Sequence, residues 1–359
     1  MHIGTEKTGT TSLQHYLAQN RSELRSNGVL LPKTAGPANH TRLVAASLDD
    51  GVIDNVKAHI MASRGEGEAR LRENFAEEFS HELTEGSDWN TLLLTSELIH
   101  SRLHTPSEIT RLFSYFEDHV AEVQIVAVLR RQDELAASRF STAIRAGHTG
   151  FDDVFGDLHD HAYLALPDER QISDFVHYYD YAALLRRFVG RVPADHIHVW
   201  LYEYGGQKLE SSTQLAKLLG TPLAKAEDSP NLNSAMSFAA QYLIATLNTE
   251  RHSHLPSGAR NKAYVDLKRK IEAEVTGARR QITRSDAAAF LARFSDSNAE
   301  VATMLGRETL FDEDVSRYPR TAHNNLPDDI ENTLAHYRSF QITSKKPNAL
   351  KRLKQLMFS

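Results

Sequence analysis

The sequence predicts an α/β fold: a three-layer parallel sheet of the P-loop type flanked by helices, with a mostly helical C-terminal part. Three observations lead there. Short apolar runs alternate with helical stretches through the first two hundred residues, the pattern of a parallel sheet connected by crossover helices. One run, Val123-Gln124-Ile125-Val126-Ala127-Val128-Leu129, is nearly all apolar, as a strand covered on both faces must be. A glycine-bracketed loop, Gly4-Thr5-Glu6-Lys7-Thr8-Gly9-Thr10-Thr11-Ser12, lies close to the start and opens a helix, the arrangement of an anion-binding turn.

The elements follow in order. Met1, His2 and Ile3 leave room for only a very short first strand, clipped here or continued upstream. A helix follows the loop, with Leu13, Tyr16, Leu17 and Leu24 at helical spacing. Val29-Leu30-Leu31, ended by Pro32, reads as a second strand. Residues 35–88 are polar and rich in His, Asp and Glu, with a helix expected around Ala69–Leu83. Leu92-Leu93-Leu94 is a buried strand running into Thr95-Ser96-Glu97. Thr105-Pro106-Ser107-Glu108 has an N-cap, a proline at the first helical position and a capping-box acid, followed by Ile109, Leu112, Phe113 and Phe116. The strand at 123–129 gives way to Arg130-Arg131 and a helix reaching about Arg145. A helix near Ile172–Phe188 precedes a strand at Ile197–Leu201. Beyond about 205 the pattern is helical (around 209–219, 234–249, 262–280 and 286–305), with no convincing strand. The expected division is 1–205 as the α/β core, 206–340 as a helical extension covering an acceptor, and 341–359 as a basic tail.

Composition narrows the function. The chain has 359 residues, 41% of them hydrophobic and 25% charged, ordinary for a globular protein of one large or two smaller domains. A formal charge of −6 is unlike a general nucleic-acid binder. The absence of cysteine removes disulfides, thiolate zinc sites and cysteine nucleophiles, and leaves the redox compartment open. No stretch resembles a signal peptide or reaches the ~20 apolar residues of a membrane span, so a cytoplasmic location is expected. The tail carries Lys345, Lys346, Lys351, Arg352 and Lys354 without an acid. It reads as a solvated helical end, with contact to an anionic membrane surface as the alternative.

Three distant segments converge beyond the carboxyl ends of the strands, where open α/β sheets bind ligands: the Gly4–Ser12 loop, Thr95-Ser96-Glu97, and Arg130 with its helix. The loop departs from the Walker pattern, in which lysine directly follows the second glycine. Here Lys7 precedes Gly9 by two residues, and Thr10 follows it. Arg130 at a strand exit, with Ser138 in the early helix, suits a second phosphate.

Together these segments resemble the sulfotransferases that use 3′-phosphoadenosine 5′-phosphosulfate (PAPS). The loop is similar to that family's 5′-phosphosulfate loop, and Arg130 with Ser138 to its 3′-phosphate segment, in the same order and separation. Weaker similarities are Ile197–Glu203, Tyr178-Tyr179-Asp180-Tyr181, Asn231-Leu232-Asn233-Ser234 and Asn298. The details are closest to bacterial members of the carbohydrate type. Gln132 stands where the family has a proline.

The resemblance implies transfer of a sulfuryl group from PAPS to a hydroxyl, of a carbohydrate or glycolipid, by in-line displacement, with no metal required. Lys7 would face the oxygen bridging phosphate and sulfate. Gly4, Thr5, Thr8, Gly9, Thr10, Thr11 and Ser12 would surround the 5′-phosphate, and Arg130 and Ser138 would hold the 3′-phosphate. Two residues compete for the general base: His40, whose ordinary pKa of about 6.5 suits neutral pH, is the favoured one, and Glu97 at the end of its strand reads as a substrate-orienting or alternative base. Arg42, Arg145 and His148 read as solvated side chains, with an acceptor cleft as the alternative. His252-Ser253-His254-Leu255-Pro256 reads as a loop. A P-loop kinase is the rival enzyme, but it needs a magnesium carboxylate and a lysine adjacent to the hydroxyl residue. A non-catalytic glycan- or anion-binding protein is the rival outside enzymes. Acceptor identity and oligomeric state are not legible.

Overall fold

The structure is a computed structural model that describes residues 1–52, 54–85, 88–151, 154–155, 178–204, 207–221, 236–251 and 262–340. The strands are β1 (Val29–Leu30), β2 (Thr91–Leu92), β3 (Ile125–Leu129) and β4 (Ile197–Leu201), with a short hairpin of Glu203–Tyr204 and Gln207–Lys208. β1 pairs with β2, and β3 with β4, in parallel.

Residues 1–5 join the two pairs. The His2 N–H donates to the Leu94 carbonyl at 2.8 Å, and the Ser96 N–H to the His2 carbonyl at 3.0 Å. On the other edge, Val126 donates to Met1, Ile3 to Val126 and Thr5 to Val128, all at 2.8–2.9 Å. The parallel order is therefore β1, β2, residues 1–5, β3, β4. Every one of these segments points its carboxyl end toward the same edge. The first strand is as short as its sequence suggests, and it lies at the middle of the sheet.

Helices cover both faces. α1 (Thr10–Gln19) and α2 (Arg21–Ser26) pack Leu13, Tyr16, Leu17 and Leu24 against Val29, Leu31 and Leu93, with Leu215 from the helix Ser211–Leu219. The expected single helix breaks at Asn20, whose side-chain amide donates to the Tyr16 carbonyl at 2.8 Å. The alternate strand residues Ile3, Leu30, Leu94, Ile125, Ala127 and Leu129 face the other way. They meet α3 (Thr41–Ser47), α5 (Glu68–Thr84), α6 (Leu98–Arg102) and α7 (Pro106–Ser114). Between α3 and α5 lies α4 (Asn55–Arg64), capped by the Asp54 carboxylate. At α7 the capping box is present as the sequence predicts, with both the Thr105 and Glu108 contacts made.

α8 (Gln132–Ala146) joins the two halves. Leu135 and Ala136 belong to the sheet's core. Phe140 and Ile144 enter a second apolar cluster with Leu243, Ile244, Leu247, Ile271 and Leu334. That cluster is built from the helices Phe238–Arg251, Lys262–Glu274 and Ile330–Arg338. The expected helix over 286–305 is two helices, Arg284–Ala292 and Ser295–Met304. Their Phe290, Phe294 and Val301 pack on the sheet's own core. The short strand Gln207–Lys208 corrects the expectation of none after 205; its partners lie across a tight hairpin. Ile172–His177, the first part of an expected helix, lies outside the described residues. Among the described residues no helix is long and apolar enough to cross a membrane.

Burial at the sheet's centre makes stability pH-dependent. His2 and His100 are fully buried, and desolvation pulls each imidazole down to about 3. The unfolded chain binds these protons near pH 6.5 while the folded chain refuses them. Their stabilising contribution is complete above pH 6.5 and is lost as pH falls toward 3. Between those limits each histidine should cost roughly 1.4 kcal/mol of stability per pH unit. Urea unfolding at pH 7, 6 and 5 should show this slope. Replacing His100 by Gln, which keeps a donor for the Tyr178 carbonyl 2.9 Å away, should remove about one histidine's share.

Candidate active site

The loop between residues 1–5 and α1 is shaped by three residues in the left-handed region. Gly4 has φ 57° and Gly9 φ 79°, and between them Lys7 has φ 65°. Among the described residues Lys7 is the only non-glycine with positive φ. Such a conformation costs on the order of 1–3 kcal/mol and persists only where its neighbours over-determine it. They do so here. Thr5 donates both its N–H and its hydroxyl to the Val128 carbonyl, at 2.8 and 3.0 Å. The Thr8 hydroxyl donates to the Thr5 carbonyl at 2.7 Å. Arg130 donates through Nη1 to the Lys7 carbonyl at 3.1 Å.

The positions of the loop divide into two kinds. Thr5 commits both donors to Val128, so it shapes the loop and has none left for a ligand. This corrects the sequence expectation for that side chain. The buried Thr8 hydroxyl is likewise committed to the backbone. Gly9 caps α1 and no side chain caps it, which leaves the first N–H groups of the helix open to an anion. Thr11 and Ser12 are exposed on that first turn, while Thr10 is buried with its methyl toward Gly4.

Lys7, Arg130 and Ser138 come together on one cavity of about 420 Å³. Arg145, Arg279, Arg280, Tyr202 and Tyr318 also line it, with Glu134 as the sole carboxylate among the described lining residues. Five cationic side chains around one acid, in a chain of net charge −6, concentrate positive potential at this edge of the sheet. Arg130 is oriented by Glu134 at 3.2 Å and lies over the Tyr202 ring at 5.0 Å. Arg145 is gripped by both oxygens of Glu272, at 2.8 and 2.9 Å. Arg280 stacks on Phe140, Phe151 and Phe238 and donates to the Phe151 carbonyl. Burial, reinforced by Arg145 and Arg130, lowers the Lys7 pKa against the opposing pull of Glu6 and Glu97.

Gln132 makes the strand-exit turn without a proline. Its amide donates to Asn298 Oδ1 at 2.6 Å, and Arg131 forks onto Asp133 while donating to the carbonyls of Asp312 and Asp314. Asn298, singled out by the sequence, therefore holds this turn.

The two candidate bases differ sharply. Glu97 abuts the loop: a Cβ at Gly4 would stand 2.8 Å from Glu97 Cβ. Gln14 and Asn39 each donate to one of its oxygens. Burial raises its pKa, and the Gln14 hydrogen bond opposes this only in part. His40 is fully buried beneath this region. Its Nδ1 accepts the Thr95 N–H at 3.1 Å, and the His40 backbone N–H donates to the Thr95 carbonyl at 3.0 Å. Desolvation holds it neutral, with a pKa of about 3. The structure thus places His40 as a brace for the segment that carries Glu97; neither is among the described residues lining the cavity, and Glu97 is the one that touches the loop.

No family model matches the chain, and no curated protein does. Among solved structures, the chain is similar to a crystal structure of a sulfotransferase from Alicyclobacillus acidocaldarius. The identity is 15%, over 71% of this chain and 94% of that one, with a TM-score of 0.39.

Sequence reasoning missed several residues. Arg145 and His148 were read as solvated, yet Arg145 lines the cavity and His148 is buried. Arg42 is buried as well, paired with Glu78 and stacked on Phe75. Arg279 carried no sequence signal, and Tyr202 was marked only as part of the weak similarity at Ile197–Glu203; each reaches the cavity from a different element. Asn231–Ser234, His252–Pro256 and the basic tail lie outside the described residues. Among the described residues no three or more His, Asp and Glu side chains cluster as a metal ion would require.

The close approach of Gly4 to Glu97 gives a direct test. Gly4→Ala forces a side chain into 2.8 Å contact at positive φ. It should destabilise the fold by about 2–4 kcal/mol, measured by chemical denaturation.

Proposed function

We propose that the chain is a PAPS-dependent sulfotransferase on a three-layer P-loop-type sheet, moving a sulfuryl group to a hydroxyl of a carbohydrate or glycolipid acceptor. One observation carries this reading. A loop lysine, an uncapped helix N-terminus and a strand-exit arginine with its helical serine meet at a single cationic cavity. The donor carries two phosphate-type groups, and the cavity offers Lys7 beside the α1 N-terminus for one and Arg130 with Ser138 for the other. The open N–H groups of α1, with the Thr11 and Ser12 hydroxyls, suit the 5′-phosphosulfate. Arg130 and Ser138 suit the 3′-phosphate, which ATP lacks.

Sulfuryl transfer, like phosphoryl transfer, is governed by alignment and charge stabilisation. The acceptor oxygen attacks sulfur as the bond from sulfur to the bridging oxygen breaks, and the electron pair leaves on the phosphate. Lys7 offsets that developing charge. The acceptor proton passes to a base. Glu97 fits this role better than His40: it stands beside the loop, and burial raises its carboxyl, the direction in which a base gains strength, whereas burial lowers the imidazole of His40. Residues 206–340, which bring Arg279 and Arg280 to the cavity, form the cover for the acceptor.

Isothermal titration should show 3′,5′-ADP binding at least about tenfold tighter than ADP, with Arg130→Ala abolishing most of the difference. Equal affinities would remove the donor assignment. In turnover assays over an acceptor panel, Lys7→Ala should abolish transfer while largely sparing nucleotide binding. Glu97→Gln should lower kcat roughly 10²–10⁴-fold, and His40→Gln should act mainly on stability. A Glu97→Gln enzyme with near wild-type kcat would place the base elsewhere.

A further inference from the structure

Glu6 is an acid inside an anion-binding loop, where repulsion from the ligand argues against a negative charge. Its surroundings show why it is there. Its side chain is not among the described ones lining the cavity and enters a pocket of cations and donors. Arg102 Nη1 lies 3.9 Å from one carboxylate oxygen, and the Tyr178 hydroxyl donates to the other at 3.2 Å. The Ser101 hydroxyl also donates to it. Arg139, fully buried, lies over the Tyr178 ring at 4.0 Å and adds its charge. Arg102 is itself fixed by Asp54 at 2.9 Å. These partners come from α4's cap, α6, α8 and the segment after residue 177, so the clasp is tied to the body of the protein.

We propose that Glu6 is a positioning residue for Lys7: its clasped carboxylate pins the loop so that Lys7 keeps its left-handed backbone, and it supplies the buried counter-charge of the Lys7 ammonium. The inference builds on the reading of Lys7 as the working cation. Thr5 and Thr8 fix the loop on either side of this pair by backbone contacts, and Glu6 adds the side-chain anchor between them. The electrostatics agree. Burial pushes the Glu6 carboxyl up, but Arg102, Arg139 and the Ser101 hydrogen bond outweigh it and hold the group ionised. His100, the nearby imidazole, stays neutral because burial holds it at about 3. Facing Lys7, Arg145 and Arg130 disfavour the ammonium, while Glu6 and Glu97 favour it. Of the two acids, Glu6 exerts the larger pull and is the one clasped by Arg102 and Tyr178.

The test reads Lys7 directly. Lysines are reductively methylated with a carbon-13 label, and the Lys7 resonance is assigned by its loss in Lys7→Arg. Glu6→Gln keeps the shape and removes the charge; the Lys7 midpoint should fall by about one pH unit. Glu6→Asp keeps the charge, and its midpoint should remain within a few tenths of a unit of wild type. A wild-type midpoint in Glu6→Gln, or an equal fall in both variants, overturns the proposal. Should Glu6→Gln not fold, Tyr178→Phe carries the test. Loss of that hydroxyl should speed hydrogen exchange of peptides covering residues 4–9 several-fold, and unchanged exchange overturns the anchor. The titration needs no donor or acceptor. If wild type fails to bind 3′,5′-ADP yet Glu6→Gln lowers the midpoint, the donor reading fails and the role of Glu6 stands.

Discussion

The hydrogen bonds of residues 1–5 are the constraint on which the rest depends. This segment has sheet partners on both sides, Leu94 and Ser96 on one and Val126 and Val128 on the other. It therefore sets the register between β2 and β3, and it also launches the loop. Shifting it by one residue would turn Ile3 out of the core, move Thr5 off Val128 and carry Lys7 away from Arg130. A five-residue stretch thus fixes both the sheet and the relation between Lys7 and Arg130.

Much of this was legible because it rests on local signals. The glycines of the loop, the capping box at Thr105 and the apolar run ending at Leu129 each specify their own conformation. The runs at 29–31 and 92–94 were readable as strands, but their division between faces came from the structure: Leu30 and Leu94 point one way, Val29, Leu31 and Leu93 the other. The stretch 35–88 was harder. Its charges look like a solvated surface, but they pair internally, as Lys57 does with Glu68 and Asp54 with Arg102. Two helices, α3 and α4, lie in this stretch; α3 is a short, largely apolar segment of seven residues.

The site residues that sequence reasoning misjudged share a physical cause. His40 is governed by Thr95, and Arg145 by Glu272, partners far away in the chain. Composition cannot reveal such pairings. The residue type says what chemistry is available, and only the tertiary partner says whether it is exposed to a ligand or spent on the fold. Thr5 illustrates the point most simply. It sits within the anion loop by position, yet one carbonyl takes both its donors.

α8 joins two jobs that are usually separate. One face carries Ser138 and Arg145 to the cavity, while Phe140 and Ile144 anchor the cluster that holds the C-terminal helices. Its last carbonyls are taken by Lys268 and Asn248 from those same helices. A ligand in the cavity that touched both the loop and Arg279 or Arg280 would link its binding to the docking of the C-terminal helices. Any anion that binds more tightly to the docked arrangement must strengthen that docking by the same free energy. Loosening the helices at a site remote from the loop must weaken the anion's hold in equal measure.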